Sequence, residues 1–237
     1  MKRLLSIFFI FLVASCSWIN DDNEECPFGF WLNLHYTYNI LDVEAAPEYI
    51  KEVSTYVYDA AGNYVTRLDA NKAELDANGH RVKVNGLSEG DYQFVVWSGV
   101  NNNEYAVSGE VGTMDKFRLS LANQTTNSKG QLPDLYYGYL STVHYAETYS
   151  AHDVYMMKNT NQLSCLVVPS TQGVTIDPAN YNMKVVSANT TMDAYKNLTS
   201  STQMTYEPFV KEAVTITDSE YGTLDGIRFS ISTLRLM

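Results

Sequence analysis

The sequence predicts an all-β fold built from antiparallel β-sandwiches. Three observations carry this. From residue 30 onward, apolar and polar residues alternate in short runs, the period of a strand with one buried and one wet face. Turn residues separate the runs: Ala61-Gly62-Asn63, Asn78-Gly79 and Ser88-Glu89-Gly90-Asp91. Composition leans the same way, with 18 Tyr and recurring Thr and Val in the extended segments. Helical periodicity is sustained nowhere; Glu44 to Lys51 suggests at most a turn of helix.

The first element is a leader, residues 1–15. Lys2 and Arg3 form a basic start, residues 4–13 are apolar apart from Ser6, and Val13-Ala14-Ser15 precede Cys16. That layout is a secretory signal peptide, and a cysteine directly after the small residues makes it a lipoprotein signal. In that chemistry the Cys16 thiol receives a diacylglyceryl group. The peptidase then cuts before Cys16, and the new amino terminus is acylated. Acyl chains contribute ~0.8 kcal/mol per buried methylene, and two or more give stable anchoring. A transmembrane helix is excluded by length, since spanning needs ~20 apolar residues. A plain signal peptide with an incidental cysteine is the alternative. Residues 16–27 follow as a tether without periodicity, carrying Asp21, Asp22, Glu24 and Glu25. Such a segment stays solvated. It resembles the acidic stretch after the lipidated cysteine of surface-exported lipoproteins of Bacteroidota, and a charged spacer has the same appearance.

Residues 28–152 read as the first sandwich. Phe30, Leu32, Leu34, Tyr36, Tyr38 and Ile40 fall on one face of an extended segment, and Trp31, Asn33, His35, Thr37 and Asn39 on the other. Val53, Thr55 and Val57 alternate likewise, as do Val82 and Val84, then Phe117, Leu119 and Leu121. Short strands at this spacing, each with a wet face, form sandwiches. Ala122 to Pro133 is polar and reads as a long loop. The junction falls near Ser150 to Val154. Residues 153–237 form a second group of strands: Gln162 to Val168, Met183 to Ser187, Ala213 to Thr217 and Ile227 to Leu236. This group is short of strands for a closed sandwich. The expectation is therefore a second sandwich that is incomplete at its C-terminus, or one whose last strand leaves its outer edge open to a partner strand.

Composition excludes several functions. Cleavage before Cys16 leaves 222 of the 237 residues. The leader holds two of the 16 Lys and Arg and none of the 27 Asp and Glu, so the mature formal charge is −13. Such a surface repels nucleic acid and anionic headgroups. No constellation carries chemistry. The cluster His144, Glu147, His152 and Asp153 matches no metal spacing and reads as a surface loop; His35 sits on a wet face and His80 beside a turn. Glu74, Asp76, Asn78 and Gly79 have the outline of a calcium loop without its first Asp or closing acid, and an Asn-Gly hairpin turn accounts for them better. Neither a phosphate-binding glycine loop nor a Gly-x-Ser-x-Gly turn occurs. Paired glycosidase carboxylates leave no trace in sequence order. Cys165 lies in an apolar strand as a buried structural cysteine; alternatively, Cys26 and Cys165 pair as a disulfide in an oxidising envelope. The sequons at Asn123, Asn189 and Asn197 carry little weight in a bacterial lipoprotein. The reading is non-catalytic, with no metal and no cofactor.

Motif order adds a resemblance. Cys16 is followed by Cys26, then Phe30-Trp31-Leu32-Asn33-Leu34, then Val57-Tyr58-Asp59-Ala60-Ala61-Gly62-Asn63-Tyr64-Val65. Gly86-Leu87-Ser88-Glu89-Gly90-Asp91-Tyr92-Gln93-Phe94-Val95-Val96-Trp97 comes next, and Asp134-Leu135-Tyr136-Tyr137-Gly138 precedes the second group. In this order the chain resembles the fimbrial anchor lipoproteins of Bacteroidales, of Mfa/FimB type. The resemblance implies two tandem transthyretin-like sandwiches and a non-catalytic subunit. That subunit is held to the outer membrane by lipid on Cys16 and faces the cell surface. Its partners are fimbrial stalk pilin subunits, joined by strand complementation. Family members run on past the point equivalent to Leu234-Arg235-Leu236. The alternative function is a surface glycan-binding lipoprotein that stacks sugars on Trp18, Trp31, Trp97 or tyrosines, although Trp97 follows a buried-type run and reads better as core; a lipid-anchored hydrolase ranks behind both.

Overall fold

In the computed structural model, residues 29–123, 130–146, 149–171, 173–200, 202–220 and 222–236 are described, together with the backbone of 127–128. The first half contains β1 (Phe30–His35), α1 (Ala46–Tyr49), β2 (Val53–Asp59), β3 (Tyr64–Ala70), α2 (Lys72–Ala77), β4 (Arg81–Val84), β5 (Gly90–Ser98), β6 (Tyr105–Ser108), β7 (Arg118–Leu121), β8 (Asn127–Ser128) and β9 (Tyr136–Tyr145). The second contains β10 (Ser150–Tyr155), β11 (Met157–Lys158), β12 (Thr160–Val167), β13 (Val185–Ser187), β14 (Thr191–Asp193), β15 (Met204–Tyr206), β16 (Val210–Asp218) and β17 (Gly222–Leu234). The fold is an all-β sandwich, with mainly antiparallel pairing and little helix. Among the described residues no helix is long and apolar enough to cross a membrane.

The organising layer is the five-stranded sheet β11-β9-β5-β2-β3. Both of its faces are covered. Val53, Val57, Phe94 and Val96 point toward the sheet β10-β1-β4 and its Phe30, Leu32 and Leu34. Tyr56, Tyr58, Val95 and Trp97 point the other way, onto Leu119 and Leu121 of the sheet β14-β7-β6. This three-layer stacking explains why Val53 to Tyr58 are all buried, where alternation alone predicts a strand with one wet face. A central sheet loses its wet face once a second layer closes over it.

The second core joins both halves of the chain. Met192, Met204, Tyr206, Ile231 and Leu234 pack in the same cluster as Trp97, Phe117 and Leu135. Strand pairing crosses too: β14 lies against β7, and β8 runs parallel to β15. The segment read as a junction, 150–154, is instead strand β10, which runs parallel to β1 over six residue pairs. Part of the predicted 122–133 loop is β8.

Two local expectations are corrected. The first strand ends at His35, although the alternation continues; Tyr38 and Ile40 are exposed on the loop that follows. Glu74, Asp76 and Asn78 belong neither to a calcium loop nor to a hairpin turn. Asn71 caps α2 by accepting from Glu74 N–H, Glu74 reaches back to Asn71 N–H, and Asn78 closes the helix. An Asn three residues before a Glu is a capping box, which stabilises a short helix against the surrounding strands.

Candidate functional site

The C-terminal sheet, in the order β12-β17-β16, is the surface best suited to assembly. Its long strand β17 is central, contrary to the expectation that the last strand has an unpaired outer edge. β12 pairs with β17 from Thr160↔Leu234 to Val167↔Ile227, and β16 from Val210↔Ser230 to Asp218↔Gly222. Pairing on both sides therefore covers Ile227 to Ser230 only. Gly222 to Gly226 has β16 on one flank and no strand on the β12 flank among the described residues. The β16–β17 hairpin thus projects beyond β12 as a two-stranded ribbon.

The outer edges of β12 and β16 are also unpaired by any strand among the described residues. Proteins protect such edges with charge, proline or bulges. β12, Thr160-Asn161-Gln162-Leu163-Ser164-Cys165-Leu166-Val167, contains no charged residue and no proline. β16 has Lys211, Glu212 and Asp218 near its ends, but Ala213 to Thr217 is uncharged and rich in β-branched residues. Leu166 and Val168 stay substantially exposed. Arg228 on β17 pairs with Glu212 at 3.2 Å, and Thr215 donates to Asp225 at 2.7 Å, so the ribbon is braced across its face while its edges are left open. Chemically, this arrangement offers main-chain N–H and C=O groups to an added strand.

Cys16, Cys26 and Glu147, and with them Trp18 and the acidic tether, lie outside the described residues. Cys165 is half-buried on β12 rather than sealed in a core, opposite Phe229 in the register, and is free among the described residues. The histidine cluster is taken apart. His144 pairs with Asp91 at 2.8 Å on the β5–β9 ladder. His152 points inward, its ring edge-on to Phe30 at 5.0 Å. Asp153, one residue on, faces outward and joins a different group. Among the described residues no three His, Cys, Asp or Glu side chains are placed to hold a metal.

That other group centres on His35. Its Nδ1 lies 2.8 Å from Glu44 Oε2 and its Nε2 3.2 Å from Asp153 Oδ1, while Asn33 also donates to Asp153 at 2.8 Å. Tyr155 stacks on the imidazole at 5.2 Å. Burial pulls the His35 pKa down, but the bonds to the two carboxylates outweigh it and set it above its ordinary value. Burial pushes the Glu44 carboxyl up; two backbone N–H groups, from Tyr36 and Ala46, and His35 more than reverse this and hold it below the usual range. The bonds from Asn33 and His35 lower Asp153. The group is a clamp on the loop after β1.

Of the tryptophans proposed as sugar platforms, Trp97 is completely buried, and the face of Trp31 is occupied by the Arg81 guanidinium at 4.7 Å. Sequence reasoning missed a second clamp. Asn189, first residue of a sequon, is completely buried and donates to the carbonyls of Leu234 and Arg235, both at 3.0 Å, while accepting from the Tyr206 hydroxyl at 2.8 Å. These bonds hold the end of β17. No local pattern marks such a residue, because all three partners are distant in sequence.

The family model of fimbrillin-A associated anchor proteins Mfa1 and Mfa2 matches residues 23–237. Among solved structures, a candidate adhesin from Bacteroides thetaiotaomicron VPI-5482 is 27% identical with a TM-score of 0.80, covering 91% of this chain and 74% of that one. A candidate polysaccharide-binding protein from the same source is 20% identical, TM-score 0.75, covering 89% and 72%. The fimbrial anchor protein Mfa2 from Porphyromonas gingivalis is 19% identical, TM-score 0.66, covering 90% and 74%. No curated protein sequence matches.

Proposed function

The chain belongs to the family of fimbrillin-A associated anchor proteins, and from that membership we propose that it is a non-catalytic, lipid-anchored fimbrial subunit of the outer membrane. Lipid on Cys16 holds it there, residues 16–27 carry it to the outer face, and the C-terminal sheet receives a strand from a stalk pilin. The observation that carries this reading is the family match over residues 23–237, which begins within the expected tether, seven residues after Cys16. The uncharged edge of β12 and the uncharged middle of β16, Ala213 to Thr217, support the strand-addition step, since such edges template pairing with another chain. No cofactor or metal enters.

Cys16→Ala tests the anchor. The variant should leave the membrane fraction, or persist as unprocessed precursor, in detergent phase partitioning. Processing and membrane retention equal to the parent would refute lipid attachment at Cys16. Replacing Asp21, Asp22, Glu24 and Glu25 with Ala should leave lipidation intact but hide the protein from protease added to whole cells. Equal cleavage would reduce the tether to a spacer.

A further inference from the structure

The loop that follows β1 is built to display apolar side chains. Tyr38 is 79% exposed, Ile40 100%, Leu41 73% and Val43 51%. Isolated exposed apolar residues are ordinary, whereas four in six residues form a patch of the kind that marks an interaction site. A flexible loop could fold such residues away from water. This one is braced against doing so. Asn39 Nδ2 donates to the carbonyls of Tyr36 at 3.0 Å and Val43 at 2.7 Å, and Asn39 Oδ1 accepts from Leu41 N–H at 3.0 Å. Glu44 Oε1 accepts from Tyr36 N–H at 2.9 Å and Ala46 N–H at 2.8 Å, closing the loop at its base. Ala45 N–H donates to the Tyr36 carbonyl at 3.1 Å. Asp42, between the exposed apolar residues, holds a φ of +51°, a left-handed turn conformation that Asp and Asn adopt more readily than other non-glycine residues.

We propose that Tyr38, Ile40, Leu41 and Val43 form a preorganised docking knob for a partner protein that offers an apolar groove bordered by Lys or Arg. The rim of the knob decides the partner. Asp42 lies within it and Glu48 follows on α1, with Lys51 beyond; Glu44 and Asp153 are shared with His35 and add less; the chain carries a formal charge of −11. That field repels anionic headgroups and equally a second copy of this acidic chain, and it complements a basic border. Because the loop is already fixed, little ordering entropy is lost on docking. The knob follows β1 of the sheet β10-β1-β4, whereas the proposed strand-accepting edges belong to the sheet β12-β17-β16, so its test succeeds or fails independently of the fimbrial reading.

The experiment places a photo-crosslinking benzophenone amino acid at Leu41 of the full chain in its native cells, with the same residue at exposed Val111 as control. The expected result is one protein adduct, identified by mass spectrometry, at Leu41 and not at Val111. Ile40→Ser should lower its yield about tenfold, the loss of one buried aliphatic contact. Asp42→Asn, which keeps a residue at ease with positive φ, should lower it about threefold through the rim charge. Both changes are at exposed positions, so the fold is retained. A lipid adduct, an adduct with a second copy, the same profile at Val111, or no adduct overturns the proposal. A protein adduct indifferent to Ile40→Ser or to Asp42→Asn overturns it too.

Discussion

Replacing Asn189 with Ala should loosen the end of β17 and lower stability sharply. The completely buried side chain makes three hydrogen bonds: two from Nδ2 to the carbonyls of Leu234 and Arg235, one to Oδ1 from Tyr206. A net hydrogen bond contributes about 1 kcal/mol, and a partner left buried without one costs about 1–3 kcal/mol. Asn189→Ala should therefore cost at least about 3 kcal/mol, or roughly 6–12 °C in Tm for a chain of this size. Tyr206→Phe removes only one of the three bonds and should cost about 1–2 kcal/mol. The two changes share that bond, so the double variant should fall short of additivity by about 1 kcal/mol. Urea unfolding of the three variants, followed by tyrosine and tryptophan fluorescence, measures all of this. An Asn189→Ala midpoint within about 0.5 kcal/mol of the parent, or strict additivity, would refute the clamp.

Two further outcomes follow from the geometry. The His35 clamp should make the loop pH-dependent. Its pKa is raised on folding, so its contribution is complete below the ordinary 6.5 and disappears as pH rises through the folded value. Amide exchange over residues 36–45, corrected for intrinsic rate, should be faster above that transition than below it; His35→Gln should abolish the difference. Gly99 has a φ of +87°, and a Cβ there would lie 2.0 Å from the Asp134 carbonyl oxygen, so Gly99→Ala should cost about 2–4 kcal/mol. Gly86→Ala, with positive φ but no atom within 4 Å of the added Cβ, should cost only about 1 kcal/mol; equal losses measured by urea unfolding would contradict the clash.

Alternation located β1, β4 and β7 correctly because each has one face on the core and one in water, so side-chain period and burial coincide. It misread the layering around β2, whose polar Ser54 and Thr55 are buried because a second sheet closes over it. It also ran β1 on through Tyr38 and Ile40, where apolar residues belong to a surface loop. The capping box Asn71 to Glu74 was legible as a helix start and was obscured by the Asn-Gly pair that ends the same helix. The strand at 150–155 hid among polar residues, since only Val154 of that run is fully buried. His152 and Asp153 are neighbours in sequence and face opposite sides of one strand, which is why the apparent cluster dissolved. The central position of β17 depends on pairing with β12, from Val167↔Ile227 to Thr160↔Leu234 in the register, a separation over which local pattern carries no information.

Amide hydrogen exchange on the full lipidated chain, alone and with purified stalk pilin, decides whether the C-terminal sheet accepts a pilin strand. In the free protein, edge amides of β12 and β16 should exchange much faster than those of β1 and the middle of β17. On adding pilin, one of the two edges, Thr160 to Val167 or Val210 to Asp218, should gain protection along alternate residues, the pattern of a newly paired strand. Strong protection of both edges before pilin is added, or binding of pilin with neither edge protected, would contradict strand addition to this sheet.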